Sequence, residues 1–74
     1  MHPQDWTKDD HPKWATVADL VIFVSRQYWR VTKWQFRDWP GTVGWRGQAR
    51  LLLVDEVIAH FDEREARLRP RKSN

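Results

Sequence analysis

All three glycines of this chain, Gly41, Gly44 and Gly47, fall inside one seven-residue window. Glycine takes left-handed and other tight backbone conformations without strain. The window therefore marks where the chain can reverse sharply. There "TVGWR" and "ARLLL" flank "GQ", the pattern of a β-hairpin with a glycine-containing connection. Residues 42–46 alternate weakly, as a strand with one wet face does. Leu51 to Val54 are continuously apolar and run into a core. Gly47 serves backbone geometry.

Helical patterns lie on both sides of this ribbon. Thr16 followed by Asp19 is a shortened capping box, which predicts a first helix from Thr16 to about Val24. Ser25 offers a break. A second helix is expected over Gln27 to Arg37, ended by Trp39-Pro40-Gly41. Leu20, Val21 and Val24 share one face of the first helix, and Val31 and Trp34 share one face of the second. Two short helices whose apolar stripes meet across a break suit a helix-turn-helix, although an ordinary helical hairpin fits the same periodicity. After the ribbon, Asp55 is expected to cap a third helix. Its stripe is Val54, Val57, Ile58, Phe61 and Leu68, with His60 packing beside it.

The chain divides into an N-terminal arm (residues 1–13), a folded domain (14–68) and a basic C-terminal tail (69–74). The arm has two prolines and no apolar periodicity, and Trp6 is its one anchor. At 74 residues a single small core stabilises only marginally. With no cysteine there is no disulfide, and the three histidines have no metal-ligand spacing. Six Trp, three Phe and one Tyr supply the buried surface instead, Trp34 and Trp45 among them as expected core residues. No apolar run approaches the ~20 residues of a membrane span. No secretory signal precedes the domain, so the expected compartment is the cytoplasm.

Charge is segregated. Residues 26–50 carry six basic side chains against one acid, Asp38, and the tail adds Arg67, Arg69, Arg71 and Lys72. Such a positive face suits a phosphate backbone. The exposed side of the second helix holds Gln27, Tyr28, Trp29, Arg30, Thr32 and Lys33, which can stack, hydrogen-bond to base edges and grip phosphate. The hairpin projects Arg46 and Arg50 beside it, as a wing does. No nucleophile–base pair stands out and no glycine-rich loop cradles phosphate, so no catalysis, metal or cofactor is expected.

"TVADLVIFVSRQYWRVTKW" and "FRDWPGTVGWRGQARLLLVDEVIAHF" resemble the compact MerR-related winged-helix family, which includes phage excisionases (recombination directionality factors) and AlpA-type regulators. The resemblance rests on Trp34, Trp39-Pro40, Arg46 with Arg50, and Asp55-Glu56-Val57, and it spans about residues 15 to 62. Ser25 stands where the family usually has glycine. The resemblance implies a mainly α fold with a small β-hairpin: helix-turn-helix, two-stranded wing, C-terminal helix. It implies contact with double-stranded DNA through the recognition-helix residues above and through Arg46, Gln48 and Arg50. The implied task is to direct a tyrosine- or serine-type integrase toward excision, with copies associating head to tail on attachment-site DNA near the bacterial nucleoid. An AlpA-like transcription regulator, the DNA-binding domain of a phage terminase small subunit, and a Trp-rich protein-interaction module are the alternatives.

Overall fold

The computed structural model describes residues 2–68. Strand β1 (Trp14–Thr16) passes directly into helix α1 (Val17–Gln27). A 3-10 turn over Lys33–Phe36 follows, then strands β2 (Val43–Arg46) and β3 (Ala49–Leu53), then helix α2 (Val54–Leu68). All strand pairs are antiparallel, and β3 lies in the middle, in the order β1-β3-β2. The result corrects the expected mainly α winged helix-turn-helix. The described residues form a small α+β fold of two helices and a three-stranded antiparallel sheet.

Two local reasons account for the difference. The first is β1, whose Trp14, Ala15 and Thr16 pair with Leu53, Leu52 and Leu51. This gives the hairpin a third strand and makes β3 central. Leu52, fully buried, faces the helices, and Leu51 lies on the opposite face yet is also buried. There the ring of Trp14 reaches across β3 to Gly44, where an added Cβ would come within 2.9 Å of it. The hairpin itself matches expectation, with Gly47 at φ +59° opening its two-residue turn. Positive φ at a first-position glycine is the arrangement of a type II′ turn.

The second reason is the fate of residues 27–37. Thr16 does cap α1, its side chain accepting the Asp19 N–H at 3.2 Å. However, Ser25 does not break the helix, which runs on to Gln27. Instead the Ser25 hydroxyl accepts the Val31 N–H at 3.1 Å and lies 3.3 Å from the Val31 carbonyl. That staple holds Val31 in the core, outside any helical ladder. Tyr28 and Trp29 turn inward, with ring centroids 5.6 and 5.5 Å from Phe61 of α2. Helical geometry resumes only after Thr32, for the four residues of the 3-10 turn. The expected second helix is therefore replaced by a packed turn and a single short one.

Leu20, Phe23 and Val24 of α1 meet Val54, Val57 and Phe61 of α2, with Leu52, Phe36, Trp39 and Trp6 completing the core. Full burial of a side chain such as Phe23 or Leu20 is worth about 1.5–3 kcal/mol. Helix α2 begins at Val54 without an intervening loop, and the Val54 N–H donates to Lys13 O at 2.9 Å. Asp55 thus lies inside the first helical turn, where it meets His11 at 3.1 Å, and is not the cap. Leu68, expected in the stripe, is exposed. The arm is docked: Trp6 is buried 5.9 Å from the Phe23 ring, and Lys8 pairs with Asp62 at 2.6 Å. The tail assigned to residues 69–74 lies outside the described residues. Among the described residues no helix is long and apolar enough to cross a membrane.

Candidate nucleic-acid interface

One face of α1, from Ala18 to Arg26, and the segment that follows the helix enclose an open groove of about 840 Å³. Ala18, Val21, Ile22 and Val31 give it an apolar floor, and Arg26, Arg30 and Lys33 give it a basic rim. Lys33 also borders a second cleft of about 360 Å³, lined further by Val17, Trp34, Arg37 and Arg50. Five of the six basic residues between positions 26 and 50 therefore surround two adjoining depressions.

Four acids among the described residues are engaged elsewhere. Asp62 holds Lys8, Asp55 faces His11, Glu63 pairs with Arg67, and Glu56 holds Thr42. Among the described residues, Arg26, Arg30, Lys33 and Arg46 have no acidic partner. These four carboxylates of α2 thus serve the arm, the hairpin loop and α2 itself, and none of them compensates the four cations. Unpaired cations beside one another repel at modest cost in water and attract polyanions.

The expected contact residues separate into distinct environments. Gln27 is the last residue of α1 and is exposed, as are Arg30, Thr32 and Lys33. Thr32 caps the 3-10 turn through a reciprocal box with Gln35, whose Oε1 accepts the Thr32 N–H at 2.8 Å. Tyr28 and Trp29 are half-buried against Phe61 and belong to the packing of α2. The Tyr28 hydroxyl donates to Asp62 at 2.8 Å. Burial first, then that hydrogen bond and the Asp62 charge, raise its pKa well above the ordinary phenol value.

The hairpin arginines do not act as a pair. Arg50 stands opposite Trp45 and Arg46 opposite Ala49, so the two point to opposite faces of the ribbon. Arg46 and Gln48 are exposed at its tip. Arg50 is tied down: its guanidinium donates to the Phe36 carbonyl and, at 3.0 Å, to the Arg37 carbonyl. It caps the end of the 3-10 turn and links the hairpin to it.

Two residues expected in the core are exposed instead. Trp34 is 66% and Trp45 65% exposed. Periodicity could not reveal this, because Trp34 falls on an apolar face only if residues 27–37 are helical. The Arg37 guanidinium lies 4.6 Å from the Trp34 ring centroid, a cation–π contact. His60 is a packing residue as expected, edge-on to Trp39 at 4.8 Å and to Phe61 at 5.2 Å. Burial, then Arg64, lowers its pKa below the usual imidazole value. Among the described residues no cluster of His, Cys, Asp and Glu could hold a metal ion.

Compared with protein-family models, curated proteins and solved structures, the chain has no match.

Proposed function

We propose that this chain binds duplex DNA and works as a recombination directionality factor, biasing an integrase of the tyrosine or serine type toward excision within the bacterial cytoplasm. The observation that carries the DNA reading is the set of cations without an acidic partner among the described residues: Arg26, Arg30 and Lys33 around the larger groove and Arg46 at the hairpin tip, with Lys33 also bordering the cleft of the exposed indole Trp34. The directionality role rests on the resemblance of residues 15 to 62 to excisionases. A 3-10 turn of four residues is too short to lie along a major groove as a helix does. In this reading Thr32 and Lys33 reach the bases from the capped turn, while Arg26, Arg30 and Arg46 hold phosphates.

Titration of duplex DNA over a range of salt tests the proposal. Neutralising about four to six phosphates gives a log–log slope of roughly −4 to −5. Lys33→Ala should make that slope shallower by about one. A slope near zero would remove DNA as the ligand and leave the Trp-rich protein-interaction reading in its place. Salt-steep binding with no effect on integrase directionality would leave a DNA-binding regulator.

A further inference from the structure

The smaller cleft has a composition that phosphate binding alone does not explain. Its lining joins an exposed aromatic plane, Trp34, to three cations, Lys33, Arg37 and Arg50, over the apolar side chain of Val17, with no acid present. We infer that this cleft is a subsite for one unstacked nucleotide, whose base lies on the open face of Trp34 and whose phosphates meet Lys33 and Arg37. The inference rests on the reading of this chain as a DNA-binding protein.

Three features favour it. Arg37 covers one face of the indole and the ring is still 66% exposed, so the other face is free to stack. The turn that carries the ring is held in place: Thr32 Oγ1 accepts the backbone N–H of Trp34 at 3.3 Å, and the Thr32–Gln35 box fixes the cap. The far wall is fixed too, because Arg50 is anchored on the carbonyls of Phe36 and Arg37. A guanidinium has five N–H donors, so Arg50 keeps others for a ligand. A preordered backbone beneath the ring lowers the entropy cost of binding. An intact duplex hides its base faces in the stack, so only a single strand, an end or an opened step presents what this cleft accepts.

Fluorescence anisotropy with a single-stranded oligothymidylate and with a duplex of equal length tests the subsite. Wild-type protein is expected to bind both. Trp34→Ala should weaken single-strand binding roughly tenfold or more and duplex binding less, while Trp34→Phe keeps most of the single-strand affinity. Circular dichroism checks that the variants keep the fold, as substitution at so exposed a position should allow. Unchanged or equally reduced affinity for the two ligands in Trp34→Ala would overturn the subsite. So would wild-type protein that binds duplex alone, and in that case the DNA reading stands. Binding to neither ligand would overturn both.

Discussion

Glu56 holds Thr42 with both carboxylate oxygens, Oε1 accepting the backbone N–H at 2.6 Å and Oε2 the hydroxyl at 2.9 Å. The first turn of α2 thereby fixes the loop that leads into the hairpin. The loop passes so close that a Cβ on Gly41 would come within 2.5 Å of Glu56 Oε1 and 2.6 Å of Trp39 Nε1.

Removing this grip should loosen the hairpin's approach. Hydrogen bonds to a charged group are worth about 1.5–3 kcal/mol, and partial exposure puts this pair at the lower end. Glu56→Ala is therefore expected to cost about 1–2 kcal/mol in urea unfolding, and Glu56→Gln less, because one acceptor oxygen survives. An unchanged midpoint in Glu56→Ala would show that the clasp is incidental to stability.

Stability should fall toward both acid and alkali, for separate reasons. Burial lowers the His60 pKa, so the unfolded chain takes up a proton more readily. That contribution is full above about pH 6.5 and is lost as pH falls through the lower folded value. Hydrogen bonds from Lys8 and then Tyr28 hold the Asp62 carboxyl below its usual range. Its contribution is present above about pH 3.9 and is lost at still lower pH. Tyr28 works in the opposite direction: its raised pKa gives stability that is lost as pH rises beyond about 10. Urea midpoints against pH test this. His60→Gln should flatten the limb just below about pH 6.5, and Tyr28→Phe the alkaline one. Curves parallel to wild type would contradict the assignments.

Two glycines of the ribbon should fail for different reasons. A Cβ at Gly47 would meet nothing within 4 Å, so Gly47→Ala is expected to cost only left-handed strain, about 1–2 kcal/mol. Gly47→Asn should cost less. At Gly44 the backbone is ordinary, but a Cβ would meet the Trp14 ring at 2.9 Å. Overpacking of this kind costs about 1–3 kcal/mol. In a double-mutant cycle the Gly44→Ala loss should shrink when Trp14 is already alanine, while the Gly47→Ala loss should not. Equal losses in both backgrounds would remove the Trp14–Gly44 contact as the cause.

What was legible in the residues follows from how local each signal is. The Thr16 cap, the Gly47-Gln48 turn and the Val54, Val57, Phe61 stripe are written within a few neighbouring positions, and the fold keeps all three. β1 was missed because three residues, Trp14-Ala15-Thr16, carry no periodicity, and their partners lie in residues 51–53. The second helix failed through a contact between Ser25 and Val31 that periodicity does not encode. The positive charge of residues 26–50 was plain, but which of those cations stay unpaired was not. That depended on Arg50 turning to two carbonyls and on Asp62 and Asp55 of α2 being drawn to Lys8 and His11 of the arm.

The central place of β3 also shields a segment prone to strand pairing. "LLL" is among the most apolar, strand-prone stretches of the chain, the kind of segment that seeds aggregates when its edge is open. Here both of its edges are occupied, by β1 on one side and β2 on the other. The strands left at the margins are only three and four residues long, with Pro12 and Pro40 shortly before them. Short margins flanked by proline offer a foreign strand little to pair with.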